Sequence, residues 1–190
     1  MPEHRLTALS PLGGDAPKVD SFEVFTICEN PDLALASLAS RVGKGAAFAK
    51  AAKKHFGFEM PEPGKTAQKS PYAAIWVGPE QWLIEAPFSD HEDIAVELKH
   101  AFDDSASVTE QTDGWARFDV EGPVTGAVFE RLCALNVGGM ASNSASRTAI
   151  EHLGCIVICR EAGIRYSVLC PRSGAASLHH ALITAAKSAV

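Results

Sequence analysis

The sequence predicts an α+β domain made of two similar strand–strand–helix–strand–strand–helix halves. Three observations predict it. Short runs of β-forming residues alternate with amphipathic helical stretches throughout the chain. The segment Trp82–Ser89 reappears in kind at Tyr166–Ser173. A 190-residue chain that is 46% hydrophobic and 21% charged also has enough apolar surface for one proper core, burying about 70% of what its unfolded chain exposes.

Residues 1–21 hold Pro2, Pro11, Gly13, Gly14 and Pro17 and are expected as an extended N-terminal arm. Residues 22–190 form the single domain, with halves at about 22–104 and 107–190. The run Phe22–Cys28 reads as a strand, ended by Asn30-Pro31. Leu33–Val42 fits a helix by its Ala and Leu content, or a second hairpin strand. Gly45–Phe56 reads as a helix with Gly57 as its stop, and 60–70 as a Pro/Gly/Lys loop. Strands are expected at 73–77 and 81–86 across Gly78-Pro79. Ser89 is expected to cap a helix reaching Phe102. Ser107–Thr112 and Trp115–Glu121 read as a hairpin across Asp113-Gly114. Pro123 opens a helix burying Val124, Val128 and Leu132, and a Gly/Ser/Asn-rich loop spans 136–146. Strands follow near 147–152, 155–160 and 164–170, then a last helix capped by Ser173.

The repeat has an offset of 84 residues. It matches Pro87 with Pro171 and Ser89 with Ser173, then Ile94, Leu98 and Ala101 with Leu178, Leu182 and Ala185 on one helix face. A proline ends each strand because it cannot donate to the ladder. Phe22–Cys28 and Trp115–Glu121 form a weaker pair at the front of each half.

Several chemistries are excluded by spacing. The net charge of -6, with no basic stripe, argues against nucleic-acid binding. Lys44, Lys50, Lys53, Lys54 and His55 read as a solvated helix face. Gly43-Lys44-Gly45 lacks the glycine and hydroxyl spacing of a phosphate loop, and no glycine fingerprint for a dinucleotide follows a strand. Cys155 and Cys159, four apart on a strand, lie about 13 Å from each other and cannot share one metal ion. His179 and His180 diverge on their helix, and His91 and His100 read as surface residues. Cys28, Cys133, Cys155, Cys159 and Cys170 are an odd set of thiols. Met1–Arg5 have no apolar leader run, and no stretch is long enough to span a membrane. The expectation is a cytoplasmic protein with reduced cysteines.

The segments Trp76-Val77-Gly78-Pro79-Glu80-Gln81-Trp82-Leu83, Glu121-Gly122-Pro123 with Arg131-Leu132-Cys133, and Cys170-Pro171-Arg172-Ser173 together resemble the gamma subunit of heterotetrameric sarcosine oxidase. The resemblance runs from about Phe22 to the last helix. It implies duplicated ferredoxin-like α/β halves, as in the folate-binding domain of the aminomethyltransferase (glycine-cleavage T-protein) group. It also implies a non-catalytic role supporting assembly with alpha, beta and delta subunits, in a complex that demethylates sarcosine to glycine. FAD, FMN, NAD, tetrahydrofolate and zinc are then expected on the other subunits, and no catalytic, cofactor or metal residue in this chain. The Lys-Gly-Cys-x-x-Gly-Gln pattern of stand-alone folate proteins is missing; the nearest position reads Cys133-Ala134-Leu135-Asn136.

Arg172, Trp115 and Trp82 are the candidate partner contacts, since Trp and Arg are enriched at interfaces; a local ion pair is the other reading of Arg172. The rival function is a stand-alone folate-binding protein, for which Glu110, Asp113 and Glu151 are the plausible pterin holders.

Overall fold

The computed structural model describes residues 8–189; the first seven residues of the expected arm lie outside them. The rest of that arm runs irregularly to Lys18 and ends in a short strand, β1 (Val19–Ser21). After it come β2 (Thr26–Glu29), β3 (Ala34–Ser40), α1 (Gly45–Phe56), β4 (Thr66–Lys69), β5 (Tyr72–Gly78), β6 (Gln81–Ala86) and α2 (Ile94–Phe102). The chain continues with β7 (Ala106–Glu110), β8 (Trp115–Glu121), α3 (Thr125–Glu130), β9 (Ser144–Ile150), β10 (Leu153–Glu161), β11 (Arg165–Pro171) and α4 (Ala175–Ala189).

Two antiparallel sheets form, in the orders β4-β5-β6-β3-β7 and β1-β2-β8-β11-β10-β9. Strict alternation along the strands buries both faces of each sheet. Ala36, Leu38 and Ile84 face α1 and α2. Phe118, Val168 and Val157 face α3 and α4. Leu35, Ile75 and Leu83 of one sheet meet Ile156, Ile158 and Leu169 of the other. The molecule is thus four layers, helices–sheet–sheet–helices.

The order β7-β3-β6-β5 is ferredoxin-like, with β4 added at its edge. The order β2-β8-β11-β10 repeats it, with β9 added at the matching edge. The offset seen in the sequence is real in space: β6 and β11 are equivalent third strands. Trp82 Nε1 donates to the Pro61 carbonyl at 3.0 Å. At the equivalent place Tyr166 donates its hydroxyl to the Val137 carbonyl at 3.1 Å. Each pins the loop that follows the first helix of its half.

Several expectations need correction. Of the two readings of Leu33–Val42 the strand is the one that forms, because Ala34, Leu35, Ala36 and Leu38 are all fully buried between layers, but it pairs with β6 and β7 and not in a hairpin with β2. β7 and β8 are strands but do not pair with each other. β7 pairs with β3 in one sheet and β8 with β2 and β11 in the other. Asp113-Gly114 lies in a 3-10 turn that carries the chain between sheets. Thr112 fixes the departure point: its hydroxyl accepts from Leu35 N at 3.0 Å, and Gln111 N bonds to Leu35 O. The pairing of β2 with β8 also removes Phe22–Cys28 as the counterpart of Trp115–Glu121, since the two are neighbours in one sheet. Neither Ser89 nor Ser173 caps a helix. Short turns intervene, and α2 begins after Asp93 without a side-chain cap. The loops expected at 60–70 and 136–146 contain β4 and the start of β9.

α1 has its expected bounds, with Gly57 left-handed at its C-cap (φ 73°). Gly122 carries φ 148°, and a Cβ there would lie 2.2 Å from the Val24 carbonyl oxygen. Only glycine lets the β1–β2 loop close on the β8–α3 turn.

Candidate functional site

Two places gather functional side chains. The first lies at the end of the sheets where the N-terminal arm docks. Arg172, in the turn before α4, donates from Nη2 to the Leu9 carbonyl at 2.8 Å and lies 3.9 Å from Asp113. Trp115, half-buried at the start of β8, donates Nε1 to Gln111 Oε1 at 3.2 Å. Together with Phe88, Pro31 and the arm they line a hollow of about 290 Å³. Leu9 and Phe88 are exposed at 48% and 38%, so its rim is apolar. The structure therefore brings Trp115 and Arg172 together, and half of Arg172 is spent on this chain's own arm.

Trp82 is elsewhere. It is 7% exposed and stacked on Phe48 behind α1, so it offers no surface to a partner. The arm itself is held by a residue the sequence did not single out. Glu29, 1% exposed, accepts from Leu12 N at 2.7 Å and Lys18 N at 3.0 Å. A carboxylate buried on a strand with two backbone donors is a structural staple.

The second place is a cleft between the sheets. Beside the apolar inter-sheet layer, Glu85 of β6 meets Arg160 of β10 at 2.7 Å and Arg117 of β8 at 3.5 Å. Arg117 Nε also bonds Asp119 at 2.7 Å. Asp119 accepts from Ser167 and Asn30 besides. Burial alone would raise the Asp119 carboxyl, but Arg117 and these hydrogen bonds outweigh it and hold it below the usual range. Burial would likewise lower Arg117, and Glu85 and Asp119 reverse that. Gln68, Asn143, Glu121 and Arg165 complete a cleft of about 480 Å³. It shares Gln68, Glu85 and Arg117 with a neighbouring hollow of about 540 Å³. Alternation on single strands put these charges on inward-facing positions, but their meeting depends on how the sheets stack, which no local pattern carries.

The three acids weighed as pterin holders do not converge. Glu110 caps its own turn, accepting from Gln111 N and Thr112 N. Asp113 faces Arg172, and Glu151 lines a separate groove with Arg131 and His180. The histidines are likewise scattered. His179 bonds Asp20 at 2.7 Å, joining α4 to β1. His91, expected at the surface, is mostly covered and bonds Glu97 at 3.0 Å. Beside it Tyr72 donates to Glu97, and burial with this bond pushes its hydroxyl up to about 12. His55 turns away from the solvated lysine face of α1 into the rings of Phe56, Tyr72 and Phe102.

All five cysteines are free thiols. Burial raises Cys155 to about 11 and Cys170 to about 12, so both behave as small core hydrophobes. Among the described residues no three His, Cys, Asp or Glu side chains are placed to hold a metal ion. Among them, too, no helix is long and apolar enough to cross a membrane.

No protein-family model matches the chain, and no curated protein matches it by sequence. Solved structures do match its fold. A chain of heterotetrameric sarcosine oxidase from Corynebacterium sp. U-96, solved with pyrrole 2-carboxylate, superposes with a TM-score of 0.76 at 21% identity. The match covers 90% of this chain and 88% of that one. The glycine cleavage system aminomethyltransferase T from Bartonella henselae superposes with a TM-score of 0.60 at 10% identity. There the match covers 82% of this chain and 44% of the other. The fold of duplicated α+β halves is the one these proteins share.

Proposed function

We propose that this chain is a non-catalytic, gamma-type subunit of a heterotetrameric sarcosine oxidase and supports assembly with alpha, beta and delta chains. The observation that carries the reading is the likeness to an oxidase chain along nearly the whole length of both partners. The likeness to the aminomethyltransferase takes in less than half of that protein. The gamma-type segments support it further: Pro171–Ser173 lies in the turn that presents Arg172, and Trp115 stands beside it at an apolar rim. In this reading FAD, FMN, NAD, tetrahydrofolate and zinc are held by the other subunits, and the arm-side rim meets one of them.

Co-expression with alpha, beta and delta chains tests it. Co-elution of this chain in one stoichiometric complex is the expected result. Elution alone at micromolar concentration overturns it. The rival, a stand-alone folate-binding protein, is weakened by the dispersal of Glu110, Asp113 and Glu151. Saturable heat on titrating tetrahydrofolate into the lone chain would restore that rival.

A further inference from the structure

The inter-sheet cleft holds more hydrogen-bond donors than acceptors. The two Glu85 oxygens are taken by Arg160 and Arg117. The Asp119 oxygens are taken by Arg117, Ser167 and Asn30. A guanidinium donates from three nitrogens and accepts nothing, so both arginines still carry N–H groups in excess. Arg160 Nε reaches Ser167 at 2.9 Å, yet its Nη2 is buried without an acceptor among the described residues. A donor shut from water without a partner costs about 1–3 kcal/mol and calls for an explanation. Among the described residues Arg165, on the same cleft, reaches one acid, Glu161, at 3.6 Å.

Fold stability does not require this arrangement. A buried Arg–Glu–Arg triad is often matched or exceeded by apolar residues of the same volume. The apolar inter-sheet layer stands beside it and could have continued. The cleft volume of about 480 Å³ falls within the range of small-molecule sites, roughly 300–1,000 Å³. Its formal charge balances, with Arg117, Arg160 and Arg165 against Glu85, Asp119 and Glu121. Selection therefore comes from directed donors and not from a general positive field. Carboxylate and phosphate both match a guanidinium fork, and a lining whose charges balance favours the singly charged carboxylate over a phosphate dianion.

We propose that the cleft between the two sheets is a binding site for a small molecule bearing a carboxylate, which the Arg160 and Arg165 guanidinium groups hold. Glu85 is the internal carboxylate against which such a ligand competes. The site is separate from the arm-side rim used for assembly, so its test does not depend on partner chains.

The full chain, labelled with nitrogen-15, is titrated in low-chloride buffer with acetate, glutarate and the neutral isostere acetamide. Arginine Nε–Hε resonances are followed. Saturable shifts confined to Arg117, Arg160 and Arg165 are expected with acetate and glutarate, and none with acetamide. Arg160→Lys keeps the charge but loses the fork, and is expected to weaken binding at least tenfold. Glu85→Gln removes the competitor and is expected to tighten it. Non-saturating shifts spread over all arginines, or an Arg160→Lys affinity equal to the parent, overturn the proposal. Should Glu85→Gln fail to fold, the parent and Arg160→Lys titrations decide it alone.

Discussion

Arg117 lies between a carboxylate of the opposite sheet and one on its own strand, 3.5 Å from Glu85 and 2.7 Å from Asp119. This guanidinium, with Arg160, is a side-chain polar fastening between two sheets that also meet through an apolar layer and the backbone bridge of Lys65 and Ser144.

Removing one member of that triad should be costly. Glu85→Ala leaves the mostly buried Arg160 without its acid and Arg117 with Asp119 alone, and a loss of about 3–5 kcal/mol is expected. Replacing all three, Glu85→Leu with Arg117→Met and Arg160→Met, should recover most of the loss. Urea unfolding of the single and triple variants checks the contrast.

The two interface tryptophan candidates should separate cleanly. Trp82→Ala empties a packed site against Phe48 and is expected to cost about 3–5 kcal/mol. Trp115→Ala should cost about 1–2 kcal/mol while weakening co-elution with partner chains. Thermal unfolding beside size-exclusion chromatography of the co-expressed complex distinguishes stability from docking.

The arm should open when its staple is cut. Glu29→Ala strands the Leu12 and Lys18 amides, at about 1–3 kcal/mol for each donor left without an acceptor. Arg172→Ala removes a more exposed contact and should cost less than about 1 kcal/mol. Hydrogen exchange over residues 8–18 is expected to speed up strongly in the first variant and weakly in the second.

Acid should weaken the helix–sheet layer at His55. Burial among aromatic rings lowers its affinity for protons below the ordinary value of 6.5. The unfolded chain therefore binds more protons than the folded one in the window just below that value, so this histidine makes stability rise with pH there. It stops contributing to the slope once pH exceeds the unfolded value. His55→Phe should flatten the slope of unfolding free energy in the window just below pH 6.5, measured against the parent in a pH series.

Much of the fold was legible because local signals agreed with global packing. Gly57 ended α1 where its left-handed conformation was needed, and the helix faces Ile94/Leu98 and Leu178/Leu182 repeated at the offset of their strands. What escaped the sequence were pairings between distant segments. Asp113-Gly114 has the composition of a hairpin turn, but Thr112 is tied to Leu35, so the chain crosses between sheets there. Leu33–Val42 has helix-forming residues, but a strand buried on both faces selects against solvent exposure on either side. The site divides in the same way. Trp115 and Arg172 stand out by residue type and position, but their meeting in one hollow, like Glu29 and the Glu85–Arg117–Arg160 cluster, exists only once the layers stack.

Strand β2 completes the sheet of the opposite half by lying against β8, so residues near position 27 pair with residues near position 120. On the ribosome, this strand must wait until its neighbour has been synthesised nearly a hundred positions later. Closing so long a loop comes late in folding. Until then Phe25 and Ile27 have no sheet to bury them. A nascent chain stalled before β8 should accordingly be a favoured target for a holding chaperone.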